Sequence, residues 1–254
     1  MVYFVGAGPG APDLITVRGQ KWIRQADVVI YAGSLVNPEL LRETKEGCQV
    51  YDSARMTLEQ VAEVILEAEH KGKTTVRLHT GDPCLYGAIR EQMDILDQEN
   101  IAYEVCPGVS SFCAAAAALD MEYTLPGVSQ SVVITRMAGR TPVPDRESIA
   151  AFAAHKATMV IFLSAGMLHN LSRELIKGGY EPDTPAAIVY KASWPEEKTV
   201  VCTVDTLAER ARENQITKTA LILVGQGVSQ KSYDRSRLYH PDFTTGYREG
   251  TDTK

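Results

Sequence analysis

Apolar and polar positions along this chain switch repeatedly between two periods. Short β-branched and apolar runs alternate with longer stretches in which apolar residues recur three or four apart. In the first half, residues 2–5, 28–31, 48–51, 74–79 and 101–106 read as strands. Residues 16–26, 38–43, 57–66, 85–96 and 112–119 read as helices between them. Thr16 is placed to cap the first helix, with Val17, Trp22 and Ile23 on one buried side. Thr57-Leu-Glu-Gln60 has the spacing of a capping box, with Leu58, Val61, Ala62, Ile65 and Leu66 behind it.

Strict alternation of strand and helix predicts a mainly parallel sheet. The second half differs. Strands are expected at 131–135, 158–164, 186–191, 198–204 and 218–224, with helices only at 168–177 and 206–214. More neighbouring strands and fewer crossovers predict a mixed sheet. The expected fold class is α/β: two α/β domains, the N-terminal one at 1–119 and the C-terminal one at 131–227. Residues 120–130, containing Leu125-Pro-Gly, would link them, and a polar tail would run from 228 to 254.

Composition narrows the function classes. A chain of 254 residues buries a sizeable core. A formal charge of −6 with no basic block points away from nucleic acid. No apolar run approaches the ~18 residues of a membrane span, and Met1–Gly6 lacks the features of a signal peptide. A cytoplasmic protein is the expectation. Five cysteines, none in C-x-x-C, argue against a disulfide framework or a zinc ribbon. The five histidines show no ligand spacing, so no metal is expected.

The chemistry-bearing signal lies in three loops, each placed where a parallel sheet binds ligands, beyond the carboxyl end of a strand. They are Gly6-Ala-Gly-Pro-Gly10, Thr80-Gly-Asp-Pro-Cys-Leu-Tyr86 and Pro107-Gly-Val-Ser-Ser111. Glycine permits tight turns and close approach of a ligand to backbone. Gly6-x-Gly8-x-x-Ala11 fits a loose dinucleotide fingerprint, which keeps a nicotinamide-dependent oxidoreductase as an alternative. Against it, Pro9 removes an N–H, and the second strand ends in Tyr31 rather than an acid. Ser110 and Ser111 read either as plain N-terminal caps or as groups facing a ligand. No nucleophile elbow or Walker loop is present, so the loops favour holding a cofactor that brings its own reactivity.

The three loops, in this order, resemble those of the tetrapyrrole methylase family, over about residues 1–227. The likeness narrows at Tyr31-Ala-Gly-Ser-Leu-Val36, His79–Ala88, Thr135–Pro144, Val189–Pro195 and Leu238–Tyr247 to members that methylate a corrin precursor. The resemblance implies S-adenosyl-L-methionine as cofactor, bound in the cleft between two domains. It implies C-methylation at C11 of precorrin-4 or cobalt-precorrin-4 and a homodimer. Another methylase of the same fold, acting at a different ring position or as a diphthine synthase does, is the alternative. Carried over by motif, cofactor contacts fall on Pro9, Thr80, Gly81, Asp82, Leu85, Ser110 and Ser111, then on Leu163, Ala192, Thr219 and Ala220. Arg18, Arg55, Arg136 and Arg140 stand near strand ends and suit the carboxylates of a tetrapyrrole substrate. Related uroporphyrinogen methylases carry an acid after the second strand and a lysine after the third. Neither stands at a matching position here, so no catalytic base is assigned.

Overall fold

The computed structural model describes residues 1–229 and 233–251. Its chain forms two compact units. The first holds Met1–Ala115 together with Lys191–Glu197; the second holds Ala116–Tyr190 and Lys198–Lys254. The segment Lys191–Glu197 therefore groups with the first unit, although the strands on either side of it belong to the second. Among the described residues no helix is long and apolar enough to cross a membrane.

The first unit is built on β1 (Val2–Gly6), β2 (Val28–Tyr31), β3 (Gln49–Asp52), β4 (Thr75–His79) and β5 (Tyr103–Cys106), with α1 (Val17–Gln25), α2 (Leu58–His70), α3 (Arg90–Gln98) and all but the last two residues of α4 (Ser111–Ala117). All four strand pairings are parallel, in the order β3-β2-β4-β1-β5. Side chains alternate across the sheet as the period of two requires. Tyr3, Val5, Val29, Val76 and Leu78 pack on one side with Ile23 of α1. Val2, Phe4, Val28 and Ile30 pack on the other with Val61, Ile65 and Ala68 of α2 and Leu96 of α3. Burying each large apolar side chain contributes about 1.5–3 kcal/mol. The capping box at Thr57 and Gln60 forms as expected.

The second unit is built on β6 (Val132–Arg136), β7 (Thr158–Phe162), β8 (Pro185–Tyr190), β9 (Lys198–Thr203) and β10 (Ala220–Val224), with α5 (Ile149–Ala153), α6 (Leu168–Lys177) and α7 (Leu207–Glu213). The order is β6-β7-β10-β8-β9. Only β6 and β7 run parallel; the other three pairings are antiparallel, so the sheet is mixed. In the tail, Arg248 Nη2 donates to the carbonyls of Leu238, His240 and Phe243, which folds that segment around one guanidinium.

Three local expectations change. Val17 is 86% exposed; the buried side of α1 is Gly19 and Ile23, one turn apart, and an added methyl at Gly19 would meet Val5. The helix expected from residue 85 begins at Arg90, because Tyr86 (φ 56°) and Ala88 (φ 49°) are left-handed and cannot lie in a right-handed helix. The short α5 was not expected at all: five residues are too few for a helical period to show.

Candidate active site at the strand ends

The first and second loops, and the third, are locked together backbone to backbone. Ala7 N–H donates to His79 O at 2.7 Å, Gly8 N–H to Gly81 O at 3.2 Å, and Gly81 N–H to Gly8 O at 2.8 Å. A methyl on Gly6 would lie 2.6 Å from Gly108 Cα and from Gly81 O; one on Gly108 would lie 2.2 Å from Gly81 O. Glycine is required at these positions by approach, since no side chain fits between the strands' ends. Asp82 completes the knot. Its Oδ1 accepts Cys84 N–H and its Oδ2 accepts Gly108 N–H, both at 2.8 Å. Burial opposes the charged form of Asp82, but hydrogen bonds from Cys84 and Gly108 outweigh it and hold the carboxyl below its usual range. The loops of β1, β4 and β5 thus converge at the point where the connections of this sheet reverse direction, between β4 and β1.

The first loop is gripped from a second side. Trp194 Nε1–H donates to Pro9 O at 3.0 Å, Asn37 Nδ2–H donates to Gly10 O at 2.9 Å, and Ala11 N–H donates to Ser193 Oγ at 3.0 Å. A methyl on Gly10 would stand 2.1 Å from Trp194 Cδ1, so the indole lies against that glycine. Lys191 Nζ stands 5.1 Å from the centroid of the Trp194 ring. Lys191 (φ 46°) and Ser193 (φ 68°) are both left-handed, a costly geometry held by these contacts.

The expected cofactor residues take these places. Pro9 and Gly81 are buried at the knot, and Thr80, Asp82 and Leu85 are half-buried beside it. Ser110 is buried and Ser111 half-buried, with their backbone packed against Gly81. Ala192 is buried within the strap that holds the first loop. Asp82 is a loop fastener in this geometry, because both carboxylate oxygens already accept backbone N–H groups. Cys84 and Cys113 are exposed. The Asp82 hydrogen bond, burial and the Asp82 charge push the Cys84 thiol up, which disfavours a thiolate nucleophile.

In the second unit, Leu163, Thr219 and Ala220 meet at one end of the sheet. Ala220 pairs with Tyr190, Ile222 with Ile161, and Arg136 with Phe162, which brings the ends of β6, β7 and β8 and the start of β10 to one edge. Leu163 (φ 53°, 66% exposed) and Thr219 (φ 54°) are left-handed there. Four other non-glycine residues of that kind, Asn100, Asp120, Lys156 and Gln215, follow the ends of α3, α4, α5 and α7, where the conformation is routine. Those at 86, 88, 163, 191, 193 and 219 lie in or beside the loops singled out from sequence.

The four arginines separate. Arg136 donates from Nη1 to Met137 O and Thr141 O and from Nη2 to Pro142 O, so its fork organises its own loop. Arg140 on the same loop is exposed. Arg18 is exposed, with a 3.7 Å surface pair to Glu104 of the kind that contributes little. Arg55 is exposed at the end of the 3-10 turn Ser53–Arg55.

Sequence reasoning passed over Asn37, Ser193 and Trp194 as partners of the first loop, since they are 27, 182 and 185 residues from the groups they bond. It also passed over two polar residues on the buried face of β4. Arg77 and His79 are 7% and 4% exposed. Burial, then the charge of Arg77, pushes the His79 imidazole down to about 3, so it stays neutral. A polar residue at every other position of an otherwise apolar strand was the available signal.

The dinucleotide alternative does not fit this geometry. A pyrophosphate cradle needs free backbone N–H groups. Ala7, Gly8 and Ala11 have donated theirs to protein and Pro9 has none, which leaves Gly10. α1 begins only at Val17 and is already capped by Thr16, whose Oγ1 accepts Gly19 N–H. The strand order also departs from the 3-2-1-4-5-6 arrangement.

An all-parallel sheet with three glycine-bearing loops knotted at its carboxyl edge, followed by a mixed sheet, defines the class. The chain belongs to the tetrapyrrole (corrin/porphyrin) methylase family, whose model matches residues 1–208. It is 51% identical over 248 residues to the cobalt-precorrin-4 C(11)-methyltransferase of Methanocaldococcus jannaschii, covering 98% of this chain and 96% of that protein. Among solved structures, a cobalt-precorrin-4 methyltransferase described as a cobalamin biosynthetic enzyme superposes with a TM-score of 0.88 at 48% identity, covering 89% of this chain and 95% of that one. A uroporphyrin-III C-methyltransferase from Thermus thermophilus, complexed with S-adenosylhomocysteine, superposes with a TM-score of 0.76 at 27% identity, covering 92% and 95%.

Proposed function

We propose that this chain is an S-adenosylmethionine-dependent methyltransferase acting on C11 of precorrin-4, with or without cobalt in the ring. Family membership, with 51% identity to a C(11)-methyltransferase across 98% of the chain, carries the reading. The knotted loops fit such a cofactor: they offer backbone and small residues without a Cβ at Gly81, half-buried hydroxyls at Thr80 and Ser111, and an apolar wall at Leu85. When bound, the cofactor would supply a methyl group on sulfonium sulfur, open to in-line attack by an electron-rich ring carbon with the neutral thioether of S-adenosylhomocysteine as leaving group.

The chain's own contribution is then alignment and exclusion of water. Fixing two reactants in a near-attack geometry can lower a barrier by as much as ~7–11 kcal/mol. Asp82 holds the second and third loops as one body, and Asn37, Ser193 and Trp194 hold the first. Pro9, Thr80, Gly81, Asp82, Leu85, Ser110, Ser111 and Ala192 are the cofactor-contacting residues in this reading, with Leu163, Thr219 and Ala220 from the second unit. Arg140 reaches for a substrate carboxylate, and Arg136 presents it by organising the loop. A homodimer and a cytoplasmic location belong to the same reading, tested by sedimentation and cell fractionation. Incubation with methyl-labelled cofactor and precorrin-4, followed by product mass and NMR, tests the activity. Label on a ring carbon other than C11, or on protein, would replace it with a different methylase of this fold.

A further inference from the structure

β4 turns Arg77 into the side of the first sheet covered by α2 and α3, where its neighbours across the strands are Phe4 and Ile30. Its Nε–H donates to Gln92 Oε1 at 3.0 Å and Nη1–H to Ile30 O at 3.1 Å. Gln92 Nε2–H in turn donates to Ala88 O, at the end of the second loop. No carboxylate pairs with this guanidinium among the described residues, and burial is the one cause lowering its pKa, to about 10. The group is therefore charged at neutral pH, and a buried cation without a counter-ion is costly to keep.

A cavity of about 170 Å³ opens beside it at the carboxyl ends of β3 and β4, bordered by Arg77, Ser53, Thr57, Leu58 and Ala88. Glu91 also borders it, but is exposed to solvent. One water needs only about 10–15 Å³ of such space, so the cavity is large enough to admit a propionate arm. We propose that this cavity receives a carboxylate side arm of the tetrapyrrole substrate, with Arg77 as its counter-ion. The proposal rests on the methyltransferase reading; it adds a substrate contact to a residue outside the loops that hold the cofactor.

The test uses the whole chain, with Arg77→Gln, Arg77→Lys and Leu58→Trp, the last narrowing the cavity while leaving the guanidinium in place. The expected result is a KM for the tetrapyrrole raised roughly tenfold or more in Arg77→Gln, the loss of a charged hydrogen bond. Arg77→Lys recovers part of it, Leu58→Trp raises KM as well, and S-adenosylhomocysteine affinity stays within about twofold throughout. Sodium acetate alone shifts the Arg77 Nε–H resonance of the unsubstituted chain and competes with the tetrapyrrole but not with S-adenosylhomocysteine. An unchanged KM in Leu58→Trp, a parallel loss of S-adenosylhomocysteine affinity in Arg77→Gln, or an Arg77 resonance indifferent to acetate overturns the proposal. Acetate that binds without competing marks a separate small-carboxylate site and overturns it too. An unsubstituted chain that methylates no tetrapyrrole ends the methyltransferase reading instead, and the acetate titration then judges the cavity alone.

Discussion

Replacing Asp82 by Asn probes the knot with the smallest change of shape. The carboxylate now accepts two backbone N–H groups, from Cys84 and from Gly108, each at 2.8 Å. An amide of the same size has one acceptor, so one of the two N–H groups must face an NH₂ donor. Hydrogen bonds to charged groups contribute about 1.5–3 kcal/mol each; Asp82 is only half-buried, which favours the lower end. The expected loss is therefore about 1.5 kcal/mol of stability at neutral pH, and a roughly tenfold weaker S-adenosylhomocysteine complex if the loops must be closed to bind it.

Urea denaturation and calorimetry measure the two effects. The pH dependence adds a sign. The folded pKa of Asp82 lies below its ordinary value, so its contribution is complete above the unfolded pKa of about 3.9. It is lost as pH falls through the lower folded value. The stability gap between the two proteins should hold steady from neutral pH to about pH 5 and close below about 3.9. An unchanged urea midpoint with unchanged ligand affinity, or a gap that persists in acid, would refute the fastener role.

Gly108→Ala would place a methyl 2.2 Å from Gly81 O and 2.7 Å from Gly6 Cα, and rigid backbone on both sides should make it cost about 2–3 kcal/mol in urea melts. Trp194→Phe keeps an aromatic ring against Gly10 but leaves Pro9 O without its donor; a loss of about 1 kcal/mol and weaker S-adenosylhomocysteine binding are expected by the same two assays. Arg140→Ala should leave stability within about 0.5 kcal/mol, as for other exposed sites, while raising KM for the tetrapyrrole. Arg136→Ala removes three donors from the Met137–Pro142 loop, and limited proteolysis should cut that loop faster.

Much of this architecture is local and so was legible in the chain. The apolar run of β1, the alternation along β4 and the box at Thr57 and Gln60 each depend on neighbours a few residues apart. The same locality explains the errors. Val17 shares apolar character with Ile23 but stands about 120° away from it around α1, at a spacing of six residues of about 100° each. Tyr86 and Ala88 are ordinary residues whose left-handed backbone nothing in their identity announces. That Arg136 donates to three carbonyls within six residues of it was likewise not legible from its type and position.

The sequence by itself determined two α/β halves, a mainly parallel and a mixed sheet, and three glycine-bearing turns at strand ends, because hydrophobic period and turn chemistry act over a few residues. Only the tertiary structure decided that Gly6, Gly81 and Gly108 touch, that Asp82 ties two turns, and that Trp194 seals a loop 185 residues away. It alone left Arg77 charged beside a cavity. Hydrogen bonding and close approach act over a few ångströms, and which distant residues come that close is set by the order in which strands pair.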